Sequence, residues 1–454
     1  MASGLDRVIS MTLNLISGAL GISVSNIPAI ITDEALSGSH DFGSGVAKKY
    51  KVNELASLAI DFSDSGATYD AAAAIASQTP SVNEFYVVKR ATPVAAVVTL
   101  VFAGALVASN VVAGTVNGQA ISVTYATSNA ATLTALAAAI QALDMVLTAA
   151  SNGTDTITIT FETQWEPSVS TFLVTLGAGQ TACVTTVTTP ATNIRDDIAA
   201  ARAESATNEW FMLLPTTTNK GAILAAADYV ETLGGAIMAL FHTTDAAVIT
   251  SATTDVASLL QDEAYKYSGI AYHDDSTEMI HAAIASRVFA VAPGQVSFAL
   301  KSLTGCTSSG LTSAQIGYAE AKNCNSYTDA GPGPLFLKGV NADGVSLEAV
   351  RDSLYAKSEL ESELYNLFTQ RNKIPYNETG RSLVLSYANG VVARMIAEGV
   401  FDPDASPANQ FTMPAISAIS SGDKAARLFP DCELIAKHLA GAIKIVISAN
   451  ISVA

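Results

Sequence analysis

The chain has 454 residues, 49% of them hydrophobic and 14% charged, which favours large apolar cores and argues against general disorder. Its 41 Asp and Glu residues outnumber its 24 Lys and Arg residues, giving a net charge of −17. A surface this acidic repels phosphate backbones and anionic headgroups. We therefore expect neither nucleic acid nor a membrane surface to be a direct partner.

The cysteines and the N-terminus indicate the compartment. The four cysteines are scattered and form no CxxC pair, so we expect free thiols in a reducing cytoplasm and no disulfide scaffold. Residues 1–7 lack the pattern of a signal peptide. Residues 93–112 are largely apolar, but Ala, Gly, Ser and Asn dilute them and β-branched residues are frequent. This composition favours strands of a β-rich domain over a membrane span.

The residue composition of the first half of the chain changes at two places. Residues 1–25 are predicted to form an N-terminal arm and part of an inner domain, and residues 26–90 the first part of a middle α/β domain. Residues 91–193 are rich in Ala, Val and Thr and indicate an inserted β-rich domain. Within it we expect strands at 119–125 and 156–161, a helix at 131–143, a hairpin turn at Asn152-Gly153, and a Thr-rich linker at 185–192.

Residues 194–295 alternate strands with helices, and we expect the second part of the middle domain there. Strands are predicted at 210–214, 236–241 and 269–272, and helices around 223–230, 256–267 and 276–289. Asn219 caps the first of these helices and Gly234-Gly235 ends it. Repeated βαβ units of this kind predict a parallel sheet with right-handed crossovers.

Residues 296–454 are more helical and are predicted to complete the inner domain at the C-terminal end. Ser358 and Glu361 have the spacing of a capping box that opens a helix, and Pro375 ends that helix. A second helix is expected at 382–398, before Gly399. The predicted fold class is therefore multi-domain α/β, with a βαβ-type middle domain, a β-rich insertion, and an α+β inner domain built from both chain ends.

No residue pattern indicates catalysis, a cofactor or a metal. Neither GxGxxG nor a P-loop follows the strand at 210–214, and no GxSxG elbow occurs. Ser39, His40 and Asp41 are adjacent, which is not the geometry of a triad and indicates a polar loop. His273 and His281 flank Asp274 and Asp275 without a metal-ligand spacing, so a strand end followed by a helix start is the simpler interpretation. Asp402 and Asp404 are expected in a turn.

Both chain ends carry strands with one apolar face, and the apolar residues alternate with polar ones. Burying the five apolar side chains of the C-terminal strand would contribute about 7–15 kcal/mol as an upper bound. Each strand can pair with this chain's own sheet or with the sheet of a neighbouring chain. The alternating apolar residues are Ile9, Met11, Leu13, Leu15, Ile443, Ile445, Ile447, Ile451 and Val453.

Several short stretches form a pattern through their order and spacing: residues 68–71 with 77–80, 305–315 with 323–327, 373–376 with Gly380, and 440–443. In these stretches the chain resembles the tail sheath proteins of contractile-tailed bacteriophages, in the branch that carries an extra inserted domain. The resemblance covers most of the chain outside 91–193. A tryptophan that relatives often carry near the position of Leu354 is missing here.

The resemblance implies a structural subunit with no enzymatic activity and no cofactor. Such subunits polymerise as stacked rings around a tail tube, and their terminal strands, here near 5–15 and 443–453, pair with a sheet in neighbouring subunits. The implied partners are copies of itself, the tail tube protein, and the baseplate and tail terminator proteins. The implied location is the virion tail, assembled in the host cytoplasm, where contraction drives the tube through the host envelope and allows genome ejection.

Two other classes of protein remain open. A bacterial surface-layer subunit or adhesin shares the acidic, Thr- and Ala-rich, cysteine-poor composition, although an export signal would be expected. An α/β enzyme that uses the residues from His273 to Asp275 is the second alternative.

Overall fold

The computed structural model describes residues 26–37, 45–163, 165, 167–176, 179–204, 210–331 and 333–441. These residues form a mixed α/β structure with several sheets. No helix among them combines the length and the apolar character needed to cross a bilayer. Residues 26–90 contain three strands and two helices: β1 (Pro28–Thr32), β2 (Ala47–Lys51), α1 (Leu55–Phe62), α2 (Ala67–Ala76) and β3 (Glu84–Lys89).

Residues 95–189 form two four-stranded antiparallel sheets that share one apolar core with a helix, and we call this unit the β-sandwich. The first sheet has the order β10-β9-β5-β6 and the second β11-β4-β8-β7. The elements are β4 (Ala95–Val101), β5 (Val111–Val116), β6 (Gln119–Thr124), α3 (Asn129–Gln141), β7 (Val146–Ser151), β8 (Thr156–Thr163), β9 (Leu173–Leu176), β10 (Gly179–Ala182) and β11 (Val184–Thr189).

Sequence predictions for the β-sandwich are confirmed except for the linker. Strand β4 lies in the apolar stretch 93–112, β5 begins at its end, and the predicted strands and helix correspond to β6, β8 and α3. Asn152 Oδ1 accepts hydrogen bonds from the backbone of residues 154–156 and fixes the turn between β7 and β8. The expected linker at 185–192 is wrong, because residues 184–189 are strand β11, paired with β4. Threonine is β-branched and suits an edge strand, although it gives no clear apolar alternation.

The largest sheet among the described residues has eight strands in the order β16-β15-β14-β13-β12-β1-β3-β2, and we call it the main sheet. Its six inner strands, β15, β14, β13, β12, β1 and β3, are parallel. The two edge strands, β2 and β16, are antiparallel to their neighbours. The further elements of this unit are α4 (Ile194–Glu204), β12 (Met212–Pro215), α5 (Lys220–Thr232), β13 (Met238–Thr243), α6 (Val256–Asp262), β14 (Ser268–Tyr272), α7 (Ile280–Phe289), α8 (Ser313–Ala321), β15 (Asn325–Asp329) and β16 (Pro334–Leu337).

The parallel βαβ arrangement predicted for 194–295 is confirmed. Asn219 Oδ1 accepts from Ala222 N at 2.9 Å, and α5 ends before Gly234 and Gly235, which both have positive φ. A Cβ at Gly235 would lie 2.6 Å from Leu354 Cδ2, so this turn requires glycine for space as well as conformation. Strands β1, β12 and β13 are buried along their whole length, as expected for a parallel sheet with covered faces.

The C-terminal elements are α9 (Leu347–Gln370), α10 (Glu378–Ala397), β17 (Gln410–Thr412), α11 (Ser421–Ala426) and β18 (Glu433–Ile435). The predicted helix start at Ser358 is wrong, because α9 begins eleven residues earlier and Ser358 lies inside it. The apolar spacing of Leu347, Val350 and Leu354 continues the helix upstream, and burial of these residues outweighs the local capping pattern. Helix α9 also ends at Gln370, before Pro375.

Helix α9 joins two apolar cores. Its first half packs into the core of the main sheet, where Leu347 is fully buried. Its second half contributes Leu360 and Leu364 to a separate core that it shares with α10 and Phe411 of β17. Because one uninterrupted helix belongs to both cores, these two parts of the chain are mechanically linked.

Candidate functional site

The predicted strand-exchange residues, Ile9 to Leu15 and Ile443 to Val453, lie outside the described residues, as do Ser39, His40 and Asp41. The described chain begins at Asn26 and ends at Gly441. The contacts of Asn26 and of the residues just before Gly441 are therefore the described contacts nearest to the predicted strands.

Asn26, the first described residue, is held by Arg351 of α9. Its Nη2 donates to Asn26 Oδ1 at 2.8 Å and to Val291 O at 2.7 Å, and its Nη1 donates to Val288 O at 3.3 Å. The guanidinium is fully buried and lies 4.9 Å from the ring centroid of Phe289. Burial lowers the pKa of Arg351 to about 10, so the group remains cationic at neutral pH.

His438, close to the last described residue, is held by Asp352, the next residue of α9. Its Oδ1 accepts from Gly294 N at 3.0 Å, and its Oδ2 is 3.0 Å from His438 Nε2. Backbone bonds continue this attachment, since Leu439 N donates to Val400 O at 3.0 Å. The chain therefore remains fastened to the body up to three residues before residue 442.

Asn26 and His438 are thus held by consecutive residues of one helix, and we call Arg351 and Asp352 the anchor. Sequence reasoning missed these two residues. The available signal was a pair of charges directly beside an apolar stripe, because Val350 and Leu354 are core residues. Charged residues in such positions are rarely buried unless they are paired, which makes them candidates for a fixed role.

A second feature is the short two-stranded sheet of β17 and β18, in which Phe411 pairs with Leu434. The outer edge of β17 is covered, because Asn389 donates to Phe411 O at 3.1 Å and accepts from Phe411 N at 2.9 Å. The outer edge of β18 has no strand partner within the described part of the chain. Two strands of three residues are marginally stable alone, so this edge is suited to receive a further strand.

Comparisons with known proteins identify the fold. Neither a protein-family model nor the sequence of a curated protein matches the chain. The PVC sheath complex of an extracellular contractile injection system, solved in the contracted state, matches with a TM-score of 0.51 and 10% identity over 97% of this chain and 96% of that chain. The contracted helical sheath of the anti-feeding prophage matches with a TM-score of 0.50 and 10% identity, over 98% of this chain and 97% of that chain. The chain has the contractile sheath fold.

The resemblance noted in the sequence therefore agrees with the fold along nearly the whole chain. A sheath tail protein from Desulfitobacterium hafniense is also similar, with a TM-score of 0.48 and 12% identity over 89% of this chain and 93% of that chain.

Near the crevice where parallel α/β sheets often bind ligands, a carboxylate of the chain itself binds the N-terminus of a helix. The strand order reverses between β1 and β12, and the N-terminus of α2 lies near this switch point. Glu34 Oε2 accepts from Thr68 N at 3.0 Å and takes the position that an anion would occupy at a helix N-terminus. A Cβ at Gly66 would collide with the same carboxylate.

His273 and His281, which flank the two aspartates in sequence, each bind a different backbone carbonyl group. His281 Nε2 donates to Pro215 O at 3.1 Å, whereas His273 Nε2 donates to Thr307 O at 3.1 Å and its Nδ1 accepts from Asp275 N. Within the described ranges, no group of three or more His, Cys, Asp or Glu side chains could hold a metal ion. Asp402 accepts from Asp404 N in the expected turn, and it forms an ion pair with Lys437 at 2.8 Å.

Proposed function

We propose that this protein is the sheath subunit of a contractile tail, polymerising as stacked rings around a rigid tube. The observation that carries the proposal is the sheath fold, matched over 97% of the chain by a sheath in its contracted state. The acidic surface supports it too, because a net charge of −17 keeps concentrated subunits apart until specific contacts form.

The terminal strands, with Ile9, Met11, Leu13 and Leu15 at one end and Ile443 to Val453 at the other, are proposed to pair with a sheet of a neighbouring subunit. Two observations support this. The anchor binds Asn26 and His438 to one helix, so tension that reaches either residue from a terminal strand would be transmitted to the body of the subunit. The open edge of β18 offers backbone groups to an incoming strand.

Contraction is proposed to be a rigid-body rearrangement of whole subunits, with the exchanged strands holding the mesh together. Helix α9 supports this mechanism because it belongs to two cores and carries the anchor. The other proposed partners are the tail tube, baseplate and tail terminator proteins, and the proposed location is the tail of a virion or a phage-like particle.

The domain assignment follows the same proposal. Residues 1–25 with the part of the chain after the first half of α9 would form the inner domain that faces the tube, and the main sheet, whose strands β15 and β16 lie beyond residue 295, would form the middle domain. The insertion at 91–193 would lie outward, because an added domain is accommodated most easily away from a packed interface.

Electron microscopy of the purified full-length protein tests the proposal, and striated tubes are expected. Deletion of residues 443–454 should yield a folded monomer that forms neither tubes nor rings in sedimentation and microscopy. The matched control replaces Ser448 and Ser452 on the polar face of the strand with threonine, and it should still polymerise.

Two outcomes oppose this proposal in different ways. A deletion product that is globally unfolded by circular dichroism would assign the C-terminal strand to the subunit's own core. Full-length protein that stays monomeric at high concentration, in salt and with crowding agents, would overturn the sheath assignment.

A further inference from the structure

One sheet of the β-sandwich has two outer strands of equal length whose outer edges resemble each other. In the order β11-β4-β8-β7 the outer strands are β11 and β7, with six residues each. Neither outer edge is paired with another strand in the described residues. Such an edge is a template for pairing with another chain.

Large aliphatic side chains are exposed at both edges. Val184 and Val187 of β11 are 61% and 56% exposed, and Leu147 of β7 is 51% exposed. Val187 pairs with Val98 of β4, which is 1% exposed, so both side chains lie on the core side of the sheet. Val187 is therefore exposed because β11 has no outer neighbour, and a further strand would cover it.

The charge distribution favours another copy of the chain as that neighbour. No Lys or Arg occurs between Arg90 and Arg195, and neither edge strand contains a charged residue. Exposed edges are commonly protected by lysine, and here only bulges near Leu147 and Thr188 interrupt them. In a chain of net charge −17, an uncharged edge is where two copies approach with little repulsion.

The strand directions fit copies that repeat in one orientation. Each neighbouring pair in this sheet is antiparallel, so β11 and β7 run in opposite directions. When a second copy is placed beside the first in the same orientation, its β7 runs antiparallel to β11 of the first. Such a head-to-tail contact leaves each copy with one used and one free edge, and it can therefore be repeated along an assembly.

We propose that β11 of one subunit pairs with β7 of the next, which continues this sheet from copy to copy in the assembled sheath. The proposal rests on the proposed function, because it requires copies in one repeated orientation. It gives the β-sandwich a role in assembly that is separate from the terminal strands. On the β7 side, α3 packs against the strand and its Gln141 Oε1 accepts from Ala149 N across 3.4 Å, so the end of α3 must move aside for this pairing.

A charge placed at the edge tests this contact. Val187→Lys should raise the critical concentration for tube formation by at least about tenfold, because the contact must then bury an unpaired ammonium group. Thr158→Lys adds the same charge on the exposed face of the inner strand β8 and should polymerise like the wild type. Adding Leu147→Glu to Val187→Lys should restore assembly, since each junction then places opposite charges together.

Cross-linking identifies the partner strand. In a Cys432→Ser background, which removes the exposed cysteine, Val187→Cys combined with Leu147→Cys should give a ladder of oligomers with a short bis-maleimide. Dimers from Val187→Cys alone would show β11 meeting β11 and would overturn the proposed pairing. Tubes without a ladder, or Val187→Lys equal to Thr158→Lys, would overturn the inference and leave the sheath assignment intact. Wild-type protein that forms no tubes would overturn both the strand pairing and the sheath assignment.

Discussion

At the scale of single residues, the most unusual feature is a stacked pair of buried histidines. The rings of His242 and His281 lie 5.4 Å apart at an angle of 8°, and both residues are fully buried. Neither nitrogen of His242 has a hydrogen-bond partner among the described residues. Burial lowers the pKa of His242 from its ordinary value of 6.5 to about 4, and nearby His273 lowers it further while Asp275 opposes the shift.

This pair makes stability depend on pH. The pKa of His242 is lower in the folded state than in the unfolded chain, so the unfolded chain binds the proton first as the pH falls below about 6.5. Between pH 8 and pH 5 we expect this residue alone to reduce the free energy of unfolding by about 2 kcal/mol. His242→Phe keeps a stacked ring without a titrating group and should lose that part of the pH dependence in urea unfolding.

The comparison of wild type and His242→Phe at pH 8 is the control. Residue 242 is neutral in both proteins at that pH, so any difference in stability reflects packing. Buried carboxyl groups such as Glu348, whose pKa burial raises, titrate in wild type and variant alike and cancel in the difference. Equal slopes of stability against pH for the two proteins would show that His242 does not contribute.

At the scale of elements, α9 links two apolar cores and holds both Asn26 and His438. Arg351 binds three acceptors, which are the carbonyl group of Val288 in the last turn of α7, that of Val291 just after α7, and the side chain of Asn26 before β1. These contacts hold the start of the described chain against the helix that also holds its end. A residue in this position stabilises the arrangement of elements as well as the local fold.

Arg351→Met keeps much of the apolar volume and leaves those acceptors unpaired. We expect the free energy of unfolding in urea to fall by about 2–4 kcal/mol, because each buried polar group without a partner costs roughly 1–3 kcal/mol. The control is Arg394→Met, which removes a half-exposed ion pair to Glu359 and should cost less than about 1 kcal/mol. Equal effects of the two substitutions would refute the anchor.

At the scale of the whole molecule, net charge sets the repulsion between copies of the chain. Copies with a charge of −17 repel one another over roughly 20 Å in 20 mM salt and over less than 10 Å in 200 mM salt. The critical concentration for polymerisation, measured by light scattering, should therefore fall several-fold between these conditions. Potassium and sodium chloride should act alike, and a rise with salt would mean that ion pairs between subunits dominate.

Regular periodicity made much of the fold predictable. The βαβ segment of 194–295 was predictable because its strands are short, apolar and separated by capped helices, as at Asn219 and Gly235. Local patterns failed where burial decided the outcome. Ser358 has the spacing of a helix cap but lies inside α9, and the Thr-rich run became β11 because β4 provides a partner strand.

The sequence by itself determined the acidic surface, the lack of a recognisable catalytic motif, and the apolar alternation of the two chain ends. These properties follow from residue types and short spacings, which need no knowledge of distant contacts. Only the tertiary structure decided that Arg351 and Asp352 hold Asn26 and His438, and that β11 and β7 are the open edges of one sheet. Both arrangements join residues far apart in the chain, and packing selects them.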